Sequence, residues 1–403
     1  MSSGNAKKNL LESFARTTDE IFSLKEFEEL LDSKKKIRIK YGVDVTSPFL
    51  HIGHAVNLWM MRELQDLGHK VIFLIGDFTT QIGDPTGRSN TRPIIPQAEI
   101  DANAEEFIRQ AKMVLRFDDP NLLEVRRNSE WFSGYQLADF LKLLAMVTHA
   151  RLISRDMFQR RIGNQEDIYM HEMIYPILQG YDSYVLESDL TIIGSDQLFN
   201  EMLGRFYQQK FGQTPQVIIT TKITQGIDGK AKQSKSLDNY IGLGHSSRDK
   251  FGRCMKVPDD LIADYLKVYT KIPMDEIARI EKEIGSDPMK WKKFLAEEII
   301  KRYHDEASAR SEREWFENTF SKKITPEDIP VLELEDSQWV AIDLLKKFFN
   351  DSKSNSDVRR LFKQGAVSIN SEKIPEFGSK MEVATDDVVK VGKRIWFKIK
   401  ILK

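Results

Sequence analysis

The sequence predicts an α/β fold built on a doubly wound parallel sheet, followed by a helical region and a small α+β domain. Three observations lead there. Short apolar runs bounded by Gly and Asp (Val71 to Ile75, Leu190 to Ile193, Val217 to Ile219) read as strands buried on both faces. Longer amphipathic stretches separate them, and this alternation produces parallel strands joined by crossover helices. Beyond about Ser246 the chain turns charged and helical, and the glycines and β-branched runs thin out.

The elements follow in order. A strand ends near Gly42 within Lys40-Tyr41-Gly42-Val43-Asp44. After His54, Ala55, Leu58, Trp59, Arg62 and Leu64 fall at helical spacings, and Leu67-Gly68 stops the helix. Polar clusters sit where strands end: Gly76-Asp77, Gly194-Ser195-Asp196-Gln197 and Thr220-Thr221-Lys222. Ligands of open α/β sheets bind outside the carboxyl ends of the strands. Ordinary loop chemistry explains any one of these clusters but explains all of them poorly. Residues 322–336, with Pro326, Pro330 and many acids, read as a linker. Beyond it, Ser356 to Phe362 reads as a capped helix, Gly365 to Asn370 as a strand and turn, and Arg394 to Lys400 as a half-buried terminal strand.

A chain of 403 residues, 41% of them hydrophobic, supports a core and roughly two to three domains. The net charge of −1 names no partner, but its distribution is uneven. Residues 353–403 carry 12 Lys/Arg against 6 Asp/Glu, a balance of +6 on a body of −7. A basic tail on an acidic body fits a polyanion held at one end, and equally a solvated charged surface. The single cysteine, Cys254, fits a reducing cytoplasm, and no Cys/His cluster suits a structural zinc. No apolar run has the length of a signal peptide or a membrane span, so no membrane partner is expected.

Two separated motifs carry the chemistry. His51-Ile52-Gly53-His54 opens a helix, where free N–H groups and the positive dipole end suit phosphate. Gly53 lets a nucleotide approach the backbone. Lys232-Gln233-Ser234-Lys235-Ser236 supplies two cations, and Gly226 and Gly229 upstream predict the mobility a lid over ATP would need. Alone, each is more simply a pair of surface histidines or a solvated basic loop. Together they form a polyphosphate clamp in two halves. A third cluster, Tyr175-x-x-x-Gln179-Gly180-Tyr181-Asp182, places Tyr175, Gln179 and Asp182 on one helix face. That face suits an amino acid bearing a hydroxyl, although a polar solvent face would explain it in isolation.

The order strand, Gly-x-Asp, loop, HIGH, helix resembles the class I aminoacyl-tRNA synthetases. With Ile82-Gly83-Asp84-Pro85, the Tyr175–Asp182 cluster, Gly194-Ser195-Asp196-Gln197 and Lys232–Ser236 in sequence, the chain resembles the bacterial-type tyrosyl-tRNA synthetases. Residues from Gly76-Asp77-Phe78 to Gly87-Arg88-Ser89 look like the branch whose C-terminal domain is similar to the RNA-binding fold of the fourth small-subunit ribosomal protein. The resemblance implies a Rossmann-like catalytic domain over 1–245, a helical anticodon-arm-binding domain over 246–321, a linker over 322–336 and an RNA-binding domain over 337–403.

The implied activity is tyrosine–tRNA ligation, with ATP as substrate accompanied by Mg2+ and no protein-bound structural metal. The implied partners are L-tyrosine, tRNA(Tyr) and a second copy in a homodimer. By resemblance, Asp84, Tyr175 and Gln179 hold the tyrosine ammonium, Asp182 accepts from the phenol, and Gln197 lies near the carboxylate. Gly194 and Asp196 contact the ribose, and Asp44 and Gly53 line the ATP pocket. His51 and His54 bind phosphates; Lys232, Ser234 and Lys235 face the departing pyrophosphate. Two departures stand out. Gln233 replaces the methionine of the family's lysine loop, which removes a packing contact. Lys40, with Tyr41 beside it, stands where a family tyrosine gives the phenol a second partner. Another nucleotidyltransferase would explain neither the helical region nor the basic tail. A tryptophanyl enzyme should lack the phenol-reading helix face. A catalytically silent RNA-binding module on a synthetase body predicts damage to HIGH or the lysine loop.

Overall fold

In the computed structural model the described residues are 3–84, 95–234, 237–321, 329–350, 352–370, 372–392 and 395–402. Two compact units form, residues 1–310 and 311–403. Lys235 and Ser236, Pro85, the Gly87-Arg88-Ser89 stretch and residues 322–328 of the expected linker lie outside the described residues.

The first unit is organised by a six-stranded sheet. Its strands are β1 (Thr18–Phe22), β2 (Arg38–Val43), β3 (Lys70–Ile75), β4 (Leu123–Arg127), β5 (Leu190–Gly194) and β6 (Val217–Thr221), in the order β1-β6-β5-β2-β3-β4. β2 to β6 are parallel, and β1 adds antiparallel to the β6 edge. The three apolar runs read as two-sided strands are β3, β5 and β6, and β6 is buried at every position. From β2 the chain winds outward through β3 and β4, and it returns to β2's other side with β5. The crevice outside the carboxyl ends of β2 and β5 is therefore the topological switch point.

Two helices on one face of the sheet carry much of the chemistry. Met170–Val185 and Leu198–Lys210 pack closely because glycines meet between them. A Cβ on Gly180 would come within 2.9 Å of the Leu203 backbone, and one on Gly204 within 2.6 Å of Ser183 Oγ. Pro176 lies inside the first helix, whose Tyr175, Pro176, Ile177 and Leu178 are buried. The HIGH helix, Ile52–Asp66, begins with His51 in extended backbone and ends at Leu67, as its sequence predicts. Helices Ser247–Cys254, Ile262–Tyr269, Met274–Ile284 and Pro288–Tyr303 complete the first unit.

In the second unit, helices Ala341–Phe349 and Asn355–Lys363 cover a five-stranded sheet around Leu344, Leu345, Val358, Phe362, Phe397 and Ile399. The terminal strand Ile395–Ile401 pairs in parallel with Val331–Leu334. That strand lies inside the stretch read as a linker. Its acids fall on the exposed face, so alternation at Leu332 and Leu334 was masked by a Pro- and acid-rich surround.

Close helix approach at Gly180 makes a stability prediction. Gly180→Ala must displace backbone atoms of the neighbouring helix, so unfolding free energy should fall by about 1–3 kcal/mol. Thermal melts of the two proteins would show it, and an unchanged midpoint would contradict the packing.

Candidate functional site

At the switch point lies a cavity of about 420 Å³, lined by residues between Lys40 and Gln233. Asp44, His51, Gly53, His54, Asp84, Tyr175, Gln179, Asp182, Gly194, Asp196, Gln197 and Lys232 all border it. The described lysine and the two histidines thus share one cavity with the Tyr175–Asp182 helix face.

At the phosphate end, the two imidazoles stack with ring centres 3.7 Å apart. The His51 backbone N–H donates to His54 Nδ1 at 3.2 Å, which puts the neutral ring's proton on Nε2. Among the described residues, His51 Nδ1 is buried without a hydrogen-bond partner. Burial drives both rings toward neutrality, His54 down to about 4, with the Lys232 charge adding to the effect and Asp196 opposing it at His54. These imidazoles are therefore neutral hydrogen-bonding groups, and Lys232 is the cation that borders the cavity beside them among the described residues. Gly53 has a tighter reason to be glycine than ligand approach, since a Cβ there would meet the His51 ring at 2.9 Å.

The lysine loop reaches this end through backbone pairing. Ile52 N–H donates to Ile241 O at 2.9 Å and Leu243 N–H to Leu50 O at 2.9 Å. Lys232 Nζ lies 3.0 Å from Asp196 Oδ2. Gln233 is buried; its Nε2 donates to the Tyr269 hydroxyl at 2.7 Å, and its Oε1 accepts from Ile241 N–H at 3.2 Å. The departure from methionine thus exchanges a packing contact for two hydrogen bonds. Ser234 N–H is held by Asn239 Oδ1 at 2.7 Å. The upstream glycines have local reasons of their own. Gly229 adopts φ +67°, and Gly226 packs where a Cβ would meet Asn239 at 2.4 Å.

At the amino-acid end, side chains form a continuous network. Gln197 Nε2 donates to Asp84 Oδ2 at 2.8 Å, and Asn200 Nδ2 donates to Gln197 Oε1 at 2.9 Å and Gln179 Oε1 at 2.7 Å. Gln179 Nε2 donates in turn to Glu201 Oε1 at 2.9 Å. Tyr175 donates to Asp44 Oδ2 at 2.9 Å, and Thr79 donates to Asp44 Oδ1 at 2.8 Å. Asp182 accepts from Trp131 Nε1 at 3.0 Å; burial raises its carboxyl to about 8 against the opposing pull of Lys40. Lys40 and Tyr41 both border the cavity, and strand alternation gives them different neighbours. Tyr41 turns to the face of Phe73, with ring centres 5.7 Å apart, and Lys40 turns toward Ser183, on the helix that carries Asp182 and Gln179, and toward Glu201 on the Leu198–Lys210 helix.

Glu201, Asn200, Trp131 and Asn128 escaped the reading of the sequence. Asn200 and Glu201 follow Asp196-Gln197 on the same helical turn, a signal hidden in an otherwise amphipathic helix. Trp131 arrives from a four-residue helix after β4, far from any recognisable string.

Residues 32–321 match the family model described as tRNA synthetases class I (W and Y), so the chain belongs to that family. Its place there is among the bacterial-type tyrosine–tRNA ligases. It is 42% identical to the enzyme of that name from Ralstonia nicotianae, over 94% of this chain and 97% of that one. It is 40% identical to that of Thermotoga maritima (92% and 93%) and 39% identical to that of Aquifex aeolicus (95% and 96%). Two solved structures share the fold. A C-terminally truncated mitochondrial tyrosyl-tRNA synthetase from Aspergillus nidulans has a TM-score of 0.63 at 22% identity, covering 77% of this chain and 93% of its own. The Archaeoglobus fulgidus enzyme complexed with L-tyrosine has a TM-score of 0.59 at 22% identity, covering 76% and 99%.

Neutral imidazoles carry a pH signature. An unfolded histidine takes up its proton near 6.5, whereas folded His54 holds out to about 4. Between these values the unfolded state binds the extra proton, so stability rises with pH across the window and is lost as pH falls through it. His54→Gln should show a shallower slope of unfolding free energy from pH 4 to 6.5 than the parent. An identical slope would mean the ring is charged in the folded protein.

Proposed function

We propose the following division of labour for tyrosine–tRNA ligation, the activity this chain carries out. The observation that carries it is the single cavity joining the HIGH histidines and Lys232 to the Tyr175–Asp182 helix face. Tyrosine lies with its ammonium toward Asp84, Tyr175 and Gln179 and its phenol toward Asp182. Its carboxylate, beside Gln197, is the nucleophile at the α-phosphorus of ATP. The carboxylate oxygen–phosphorus bond forms as the bond to pyrophosphate breaks, and the product is tyrosyl-adenylate.

No side chain needs to act as nucleophile. Catalysis is positioning, together with groups placed where charge develops on the leaving pyrophosphate. His54 donates from Nε2, His51 sits beside it, and Lys232 and Lys235 with Ser234 face the pyrophosphate. Gly194 and Asp196 take the ribose, while Asp44, held by Tyr175 and Thr79, and Gly53 border the ATP site. ATP enters as its Mg2+ complex, with the metal carried by the phosphates. In the second step the terminal adenosine hydroxyl of tRNA(Tyr) attacks the tyrosyl carbonyl and AMP leaves. That work belongs to the cytoplasm, where charged tRNA is consumed.

The working form is a homodimer. The helix Leu137–Leu144 packs Phe140, Leu143 and Leu144 inward, yet it leaves Leu137 and Leu141 72% and 56% exposed at i and i+4. Exposed leucines on one face are covered economically by a second copy. Anticodon-side contacts fall to the helices after Ser246 and to the basic stretch 353–403 of the second unit, whose balance of +6 favours phosphates.

ATP–pyrophosphate exchange against all twenty amino acids tests the reading, and only tyrosine should support it. Asp182→Ala should lower kcat/KM for tyrosine by about 10- to 100-fold, the size of a buried hydrogen-bonding group left unpaired, and narrow the preference over phenylalanine. A variant that kept the parental preference would remove Asp182 from the phenol site.

A chain ending at Ser321 should retain tyrosine-dependent exchange, since the cavity lies wholly within residues 40–233. Its tRNA charging should weaken, and the salt dependence of tRNA binding should become less steep. Charging as efficient as that of the full chain would exclude a tRNA role for the second unit.

A further inference from the structure

The amino-acid end of the cavity rests on a buried ion pair. Lys40 Nζ lies 2.8 Å from Glu201 Oε2 and donates to Ser183 Oγ at 2.7 Å; both charged side chains are only 2% exposed. The Glu201 carboxylate also accepts from Gln179 Nε2 at 2.9 Å and Gln216 Nε2 at 2.8 Å. Burying two charges is seldom the cheapest way to fill a core, because an apolar pair of similar volume is often as stable or more so. Yet Lys40, Gln179 and Glu201 all border the cavity. We propose that Lys40 is a specificity-determining residue for the tyrosine hydroxyl and that Glu201 is the positioning residue that fixes Lys40 and Gln179 for their tasks.

Hydrogen-bond capacity explains how. An ammonium has three hydrogens: one goes to Ser183 Oγ, and the Glu201 carboxylate, which meets Nζ through Oε1 at 2.9 Å and Oε2 at 2.8 Å, can share a second between its two oxygens, which leaves the third for a ligand. Lys40 and Asp182 border the same cavity and the Lys40 charge acts on the Asp182 carboxyl, so the third hydrogen is assigned to the phenol end. A phenol donates once, to Asp182, and has lone pairs to offer the ammonium. Tyrosine satisfies both partners, whereas phenylalanine leaves a buried ammonium hydrogen and a buried carboxyl group unpaired, which is costly. At the other end of Glu201, Gln179 has its Oε1 taken by Asn200 and one amide hydrogen by Glu201. Its second amide hydrogen is thereby aimed and available. Through one carboxylate, the reader of the hydroxyl and a holder of the amino-acid head are kept in register.

The role rests on the ligase reading above, and one assay separates the two. Tyrosine-dependent ATP–pyrophosphate exchange would be measured for the full chain, for Glu201→Gln and for the double variant Lys40→Met/Glu201→Leu, with thermal melts alongside. The double variant removes both charges at similar volume, which avoids stranding one of them. KM for tyrosine should rise about 10- to 100-fold while KM for ATP stays unchanged, and the preference for tyrosine over phenylalanine should fall by a similar factor. If only one of the two variants folds, the same split is required of that one. A folded variant with parental tyrosine KM and preference overturns the proposal. So does a parallel rise in both KM values, or failure of both variants to fold, since either result makes the pair purely structural. Absence of tyrosine-dependent exchange in the parent chain would instead sink the ligase reading itself.

Discussion

The cavity depends on one buried carboxylate. Glu201 gathers hydrogen bonds from β2 through Lys40, from the Met170–Val185 helix through Gln179, and from Gln216, the residue before β6. A charge removed from water must be met by donors on every side, so each of these elements is fixed relative to the others. The glycines at 180 and 204 set the helix spacing at which those donors can converge. The same network runs on through Asn200 and Gln197 to Asp84, so the two ends of the amino-acid site are not independently adjustable.

The two halves of the cavity use opposite electrostatics. At the amino-acid end, charge is internal, paired and dehydrated. At the phosphate end, the histidines are held neutral by burial and the cations come from a loop. Neutral N–H groups can stay close to phosphate oxygens throughout a reaction. Strong charge is most useful where it acts on the departing group, because only interactions stronger in the transition state accelerate the chemistry. A clamp assembled from distant stretches of sequence gives each kind of group its own support: a helix start for the rings and a loop for the ammonium groups.

Much of this was legible in the sequence because its signals are local. Two-sided apolar runs announced β3, β5 and β6, and the polar residues at their ends announced the crevice. HIGH and the lysine loop read as partners from residue type, and His51, His54 and Lys232 do border one cavity. What stayed hidden is what pairs across the fold. Lys40 stood out as a departure, but nothing in its neighbours named Glu201 as its partner. Trp131 reaches Asp182 only because a short helix follows β4, and an indole in such a stretch reads as core. Val331–Leu334 escaped because only its two leucines face inward amid exposed acids, and its partner is the last strand of the chain. Gly53 and Gly226 were read as room for a ligand and for motion, yet both fill places where any Cβ would collide with a neighbouring side chain.

Two lysine–carboxylate pairs in one cavity show how the same chemistry serves opposite ends. Lys232 and Asp196 lie 3.0 Å apart with side chains 57% and 31% exposed. An exposed pair of this kind contributes only about 0–1 kcal/mol, because water and salt compete for both partners. Lys232 can therefore leave Asp196 for another anion at little cost. Lys40 and Glu201 are as close, but dehydrated, and separating them would strand two charges in the core. The first pair is cheap to exchange and the second is costly to part. Burial, rather than residue type or distance, decides which lysine can move and which must hold the pocket still.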